Sequence, residues 1–196
     1  MKFDIGEKYD KIAQWWHSYH EESTYGLGQV ERAISYCKVH GSALDVGCGS
    51  GGRIIRKLEQ SGFRVTGIDA SPKMIEIAKS IHNCADFYVA DICSWDTDEE
   101  FDFIIAWDSI FHLPLSMHAQ VIQKLCSMLQ KGGVLMYTFG DDYGEHVSDW
   151  HHEKFYYSSL GINENLKIIM ENNCECRHLE LDQYPQKHVY MIVEKR

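Results

Sequence analysis

The residues with the clearest chemical meaning are glycines and carboxylates placed between apolar runs. Leu44-Asp45-Val46-Gly47-Cys48-Gly49-Ser50-Gly51-Gly52 sets an apolar run ending in a carboxylate directly before a turn of nearly bare backbone. Glycine there permits positive φ and lets the main chain approach a ligand, and the start of a following helix offers unpaired N–H groups. Gly47, Gly49 and Gly52 also satisfy the spacing G-x-G-x-x-G, so the turn alone leaves open which nucleotide-like cofactor it would hold. Three more acids follow later apolar runs: Asp69, 22 residues beyond Gly47, then Asp91 and Asp108. A carboxylate at the spacing of Asp69 can accept hydrogen bonds from both hydroxyls of a ribose, which suits any adenosine-containing ligand.

Bringing these groups together requires a particular order of elements. Tyr9, Ile12, Ala13 and Trp16, then Val30, Ala33, Ile34 and Cys37, then Met74, Ile77, Ala78 and Ile81 recur at i, i+3, i+4, i+7, each one buried helical stripe. Val121, Ile122, Leu125, Met128 and Leu129 repeat the pattern before Lys131-Gly132-Gly133, read as a C-terminal stop, and Ile162, Leu166, Ile169 and Met170 give a last helix. Apolar runs of strand length lie between them at Ala43 to Val46, Phe63 to Ile68, Phe87 to Val89, Phe101 to Ala106 and Val134 to Phe139. This alternation predicts an α/β fold, a doubly wound, Rossmann-like parallel sheet with helices on both faces and ligands beyond the carboxyl ends of its strands. Two last strands, Cys176 to Leu181 and His188 to Val193, are separated by six residues. A parallel crossover needs about a dozen or more, so these strands must be antiparallel neighbours. Gly140 to Ser159 reads as one long irregular stretch, and a loop of that length in a compact domain is usually functional.

Composition narrows the partners. The 196 residues fit one domain, and a formal net charge of −10 without any Lys or Arg cluster argues against nucleic acid. Met1 to Lys8 has no apolar core of leader length, and no window approaches the roughly 18 apolar residues of a membrane span, so a cytoplasmic protein, monomer or homodimer, is expected. Seven scattered cysteines read as reduced thiols. Cys174-Glu175-Cys176 is a close pair lacking two further ligands, and the histidines show no H-E-x-x-H spacing, so no metal is expected.

The acids choose among cofactors. A pyrophosphate would be poorly served by several carboxylates in a partly desolvated cleft, whereas a cationic ligand without phosphate suits them. S-adenosyl-L-methionine has those properties: a sulfonium, an ammonium, a ribose diol and an adenine amine. Here the chain resembles the class I S-adenosylmethionine-dependent methyltransferases, and in particular their small single-domain members acting on small molecules. The resemblance runs from about Tyr9 to Val193 and rests on Leu44 to Gly51, Val65-Thr66-Gly67-Ile68-Asp69-Ala70-Ser71-Pro72-Lys73-Met74, Ala90-Asp91-Ile92 and Leu129-Gln130-Lys131-Gly132-Gly133. It implies a seven-stranded sheet closed by an antiparallel pair. It also implies one methyltransferase domain over 1–196: helices forming part of a lid (1–40), a cofactor-binding core (41–139), a substrate-side loop (140–160), and a final helix with an antiparallel hairpin (161–196).

Carried over residue by residue, Gly47, Cys48 and Gly49 would face the methionine part, and Asp45 would support the turn or the ammonium. Asp69 would hold the ribose, Ala70 and Met74 would pack on adenine, and Asp91 with Ile92 would meet its amine and ring. The product would be S-adenosyl-L-homocysteine. Trp107 would border the sulfonium and offer it a π face.

Methyl transfer is an in-line displacement, so the protein mainly aligns the acceptor, excludes water and removes a proton where needed. Asp108 and His112 are the candidate catalytic groups, His112 as general base because its ordinary pKa lies near neutrality. Trp107-Asp108-Ser109-Ile110 stands where enzymes acting on nucleobase amines often carry Asn-Pro-Pro-Tyr, a departure that points away from such acceptors. Tyr9, Trp16, Trp150, His152 and Tyr157 are expected to close over a small-molecule acceptor from two sides. A cofactor-binding sensor or partner subunit without chemistry is the alternative, and an NAD-dependent oxidoreductase is supported only by the glycine spacing and Asp69.

Overall fold

In the computed structural model, which describes residues 5–196, the chain runs α1 (Ile5–His20), α2 (Leu27–Ile34), β1 (Ser42–Val46), α3 (Arg53–Gln60), β2 (Arg64–Asp69), α4 (Pro72–Ile81), β3 (Asp86–Val89), β4 (Phe101–Ala106), α5 (His118–Ser127), β5 (Leu129–Gly140), β6 (Tyr143–Trp150), β7 (Glu153–Leu160), α6 (Gly161–Glu171), β8 (Cys174–Glu180) and β9 (His188–Lys195). Residues 1–4, part of the leader reading and of the expected 1–40 segment, lie outside the described residues. Seven strands form one sheet in the order β3-β2-β1-β4-β5-β9-β8. Strand β9 runs antiparallel to both β5 and β8, and the other pairs are parallel.

Period-two alternation along the central strands feeds two cores. Phe103, Ile105, Val134 and Met136 pack with Val30, Ala33, Ile55, Leu58, Ile75 and Ala78 of α2, α3 and α4. Ile104, Ala106, Leu135 and Tyr137 pack on the opposite face with Val121, Ile122, Leu125, Ile168 and Ile169 of α5 and α6. With both faces covered, these strands are apolar at nearly every position, which is why they read as short continuous runs. No helix among the described residues is long and apolar enough to cross a membrane.

Several local expectations are corrected. Helix α5 ends at Ser127, and Leu129 already pairs with Phe101 in the sheet. Gly132 and Gly133 are therefore not a helix stop; they sit inside β5, where its register with β4 shifts. Ile75 rather than Ile81 takes the inner place on α4, and Met170 is 67% exposed. The stretch read as irregular from Gly140 to Ser159 holds a separate antiparallel hairpin, β6–β7. Its two-residue turn, His151-His152, takes φ of 48° and 62°. That conformation is normally signalled by Asn-Gly, so a His-His pair hides the turn.

Helix α1 docks across the start of α4. Ser71 caps α4 by accepting from the Met74 N–H at 3.1 Å, and Asp10 of α1 reinforces the same end, accepting from Ser71 Oγ at 2.5 Å and from the Lys73 N–H at 3.0 Å. Gly6 makes the approach possible, since a Cβ there would run into the Ala70 carbonyl. Gly6→Leu is expected to unseat α1 while the sheet stays folded, because the overlap is with backbone that cannot move aside. Limited proteolysis should cut residues 5–34 faster than in the wild type at unchanged far-ultraviolet circular dichroism; equal cutting rates would contradict the contact.

Candidate active site

Strand order reverses between β1 and β4, and the glycine turn sits at that switch point. The Gly47 and Cys48 N–H groups donate to the Ile68 carbonyl at 2.8 and 3.0 Å, pinning the turn to the end of β2. Gly47 takes φ of 75°, and a Cβ there would overlap Ser109, whose hydroxyl donates to the Val46 carbonyl at 2.7 Å. Asp69 bridges two turns: Oδ2 accepts from the Gly49 N–H at 2.9 Å and Oδ1 from the Ser71 N–H at 2.8 Å. Each carboxylate oxygen retains acceptor capacity for a ligand. No side chain caps α3, so its first-turn N–H groups stay available beside Gly52.

These features open into one cleft of about 1350 Å³, counting its mouth. Asp45, Gly47, Cys48, Gly49 and Asp69 form its floor, with Ala70, Met74, Asp91 and Ile92 along one side. Met74 and Ile92 belong equally to the core, at 1% and 7% exposure. Asp91 stands at the rim, where Oδ1 accepts from the Cys93 N–H at 2.9 Å and closes a turn. Asp45 is only 2% exposed. Burial, then the neighbouring charge of Asp69, push its pKa up to about 7, with Arg53 opposing.

Trp107 lines the cleft too, but its indole is wedged beneath Tyr25 and Gly26, edge-on to the Tyr25 ring at 5.6 Å. It serves as a packed wall, with a buried Nε1 that has no hydrogen-bond partner among the described residues.

His112 reaches the cleft with both ring nitrogens engaged. Nδ1–H donates to the Tyr156 carbonyl at 2.8 Å, and Nε2 accepts from the Tyr9 hydroxyl at 3.0 Å. Burial outweighs the Tyr156 hydrogen bond and lowers its pKa to about 4, so the ring is neutral at working pH. The expected general base thus has no free nitrogen, and the group it presents is the Tyr9 phenol. Of the five aromatic and histidine side chains expected to close over an acceptor, Tyr9 and Trp16 line the cleft. Trp150 and Tyr157 do not: Trp150 packs behind Tyr9, Trp16 and Phe155, and Tyr157 lies on Phe111 and His112. His152 is corrected outright, being exposed at the hairpin tip because the turn needs its positive φ. The two expected halves nonetheless meet: Lys11 pairs with Glu153 at 2.5 Å, and Trp15 packs on His151 with centroids 4.0 Å apart.

Asp108 holds φ of 50°, an uncommon value for a non-glycine residue, and its N–H donates to Thr138 Oγ1 at 2.8 Å. Its Oδ1 meets His188 Nε2 at 2.9 Å. Sequence reasoning missed His188, 80 residues away on β9, and also Arg53 and Arg56, which line the cleft beside the glycine turn. Neither arginine pairs with a carboxylate of the described residues; Arg53 Nε donates to the Tyr25 carbonyl and Arg56 Nη2 to the Glu21 carbonyl, at 2.5 and 2.7 Å.

Residues 43–133 match the family model described as a methyltransferase domain. A trans-aconitate 2-methyltransferase from Escherichia coli strain 55989 is 33% identical over 141 residues, covering 67% of this chain and 55% of that protein. The family match places residues 43–133 of the chain in a methyltransferase domain. It spans about half the length of the curated relatives it matches. Among solved structures, an S-adenosylmethionine-dependent methyltransferase from Clostridium acetobutylicum superposes with a TM-score of 0.73 at 14% identity, covering 96% of this chain and 99% of that one. Magnesium protoporphyrin IX methyltransferase from Synechocystis gives 0.70 at 16%, covering 98% and 95%. At such identities these two likenesses establish the methyltransferase fold alone.

Asp45 carries a measurable signature. Its folded-state pKa is raised, so the native state binds more protons than the unfolded chain between about pH 4 and 7, and stability falls as pH rises through that window. Urea unfolding of wild type and Asp45→Asn should therefore diverge with pH, the variant gaining at most about 1.4 kcal/mol for each pH unit crossed. Parallel curves would show that Asp45 is ionised throughout.

Proposed function

We propose that the chain is an S-adenosylmethionine-dependent methyltransferase whose acceptor is a small organic acid. The observation that carries the first half is the donor set of the cleft: bare backbone at Gly47 and Gly49 beside the carboxylates of Asp45, Asp69 and Asp91. That set fits a cationic, ribose-bearing cofactor. Asp69 would take the ribose diol, Asp45 the ammonium, Asp91 with Ile92 the adenine edge, and Met74 the ring face. When bound, the cofactor supplies a methyl group on positively charged sulfur.

The acceptor class rests on the two arginines that line the cleft beside the glycine turn. Neither guanidinium forms an ion pair with a carboxylate of the described residues, although Asp45 and Asp108 act on Arg53 at longer range, and a ligand carboxylate would give Arg53 and Arg56 charge-assisted hydrogen bonds. The curated relatives are named for a tricarboxylic acid, which agrees with this reading. A carboxylic acid is already ionised near neutral pH, so no side chain has to remove its proton. His112 then has the role its hydrogen bonds suit, orienting the Tyr9 hydroxyl toward the cleft, while α1 and the β6–β7 hairpin keep water out.

Calorimetric titration with S-adenosylhomocysteine tests the cofactor. Binding by the wild type and a dissociation constant raised at least about tenfold in Asp69→Ala, the equivalent of about 1.4 kcal/mol, are expected. No heat with intact protein would defeat the proposal. Methyl transfer from labelled cofactor to trans-aconitate and other di- and tricarboxylic acids tests the acceptor. Arg53→Gln should raise the acceptor KM by about tenfold or more, given the worth of a hydrogen bond to a charged group, with a smaller change in S-adenosylhomocysteine affinity. Transfer to amines or phenols in preference to acids would refute the acceptor class.

A further inference from the structure

One polar cluster to which the proposed chemistry gives no role is a three-residue clamp beside the cleft. His188 opens β9 and lies between two carboxylates: Nε2 is 2.9 Å from Asp108 Oδ1 and Nδ1 is 2.5 Å from Asp182 Oδ1. A neutral imidazole would turn a lone pair toward one of these acids, so the geometry requires both nitrogens to carry protons. The side chains of His188 and Asp182 are 15% and 5% exposed, which shields the pairs from solvent screening. Asp182 is held in turn by Gln29 Nε2 of α2 at 3.0 Å, and Gln183 Nε2 donates to the Tyr25 hydroxyl at 2.6 Å.

We propose that His188, as an imidazolium fixed by Asp182, is a positioning residue that sets the Asp108 carboxylate on the acceptor side of the cleft. Asp108 has an uncommon positive φ, its N–H is held by Thr138, and its side chain is held by His188 together with a hydrogen bond from the Tyr25 phenol. The clamp also ties the connection between β8 and β9 to the cleft wall, so that connection and the end of β4 move together.

The surroundings agree with a charged ring. Burial by itself lowers the His188 pKa, but hydrogen bonds and charge from Asp108 and Asp182 outweigh it and leave the group above its ordinary value. The other groups facing the clamp are the Trp107 ring at 5.6 Å, the Tyr25 phenol, Arg53 of α3, and Tyr9, His20 and His112, all of which but Trp107 act on Asp108. Lys187, next in sequence, is engaged by Asp142.

The kinetic half of the test rests on the methyltransferase reading; the spectroscopic half does not. In protein labelled with 15N at histidine, the resonance lost in His188→Gln should show both nitrogens protonated at pH 7.5, and Asp182→Asn should lower its titration midpoint. A neutral ring titrating near 6.5, the ordinary histidine value, would overturn the clamp. With an acceptor in hand, His188→Ala should lower kcat roughly ten- to hundredfold, the scale expected of a misplaced cleft group. His188→Gln, which keeps one donor, should recover part of that loss, and S-adenosylhomocysteine affinity should stay within about twofold, under 0.5 kcal/mol. Cofactor affinity falling in parallel with turnover would reduce His188 to a structural role and overturn the proposal. Because the spectroscopic arm needs no acceptor, it decides the clamp even if no methyl transfer is found.

Discussion

Asp69 is the joint on which the cofactor side of this molecule depends. Its two oxygens hold the Gly49 and Ser71 N–H groups, so one carboxylate sets the glycine turn after β1 and the entry to α4 after β2. Those turns frame opposite sides of the cleft floor. Burial raises its pKa while the two backbone hydrogen bonds oppose the rise. Asp45 is more deeply buried, and burial, then the neighbouring charge of Asp69, raise its pKa as well. Buried carboxylates carry negative charge at a cost, and a cation beside them relieves that cost. Affinity for a positively charged ligand is thus built in by the desolvation of the acids themselves.

The cover over the floor is made by different means. Helix α1 contributes Tyr9, Trp15 and Trp16, the hairpin contributes Trp150, His151 and Phe155, and the rings meet at centroid distances of 4.0 to 6.5 Å. Edge-to-face contacts of this sort fix angles as well as area. At its lower edge the layer ends in the Tyr9–His112 hydrogen bond, which lies within the cleft. Cover and chemistry are therefore continuous: moving α1 moves the hydroxyl that His112 orients. The aromatic residues expected to touch an acceptor divide accordingly, Tyr9 and Trp16 on the inner surface, Trp150 and Tyr157 supporting them from behind.

On the acceptor side the groups come from places remote in sequence. Asp108 follows β4, His188 begins β9, Asp182 precedes it, and Arg53 opens α3. They converge because β9 inserts antiparallel beside β5, with His188 opposite Gly140, near where β4 ends. An insertion of this type could be inferred from the short connection before β9, but not which side chain it would deliver to which carboxylate.

The fold was legible where physics is local. Period-two and 3.6-residue patterns gave the helices and strands, a six-residue connection forced the antiparallel pair, and glycine spacing with strand-end acids gave the turn and its neighbours. Errors fell where the local signal was weak or double-edged. Lys131-Gly132-Gly133 looks like a helix stop and is a strand irregularity, and His151-His152 carries no turn signature because positive φ at histidine is unusual. By itself, then, the sequence determined the layered sheet, the position of the cofactor turn and the acids that line it, since each depends on residues within one strand-turn-helix unit. Only the tertiary structure decided that His112 is neutral and shared with Tyr9, that His188 is locked between two acids, and that Arg53 and Arg56 line the cleft without an ion pair to any carboxylate of the described residues. Those properties depend on burial and on distances between elements far apart in the chain, and neither quantity exists until the sheet has closed.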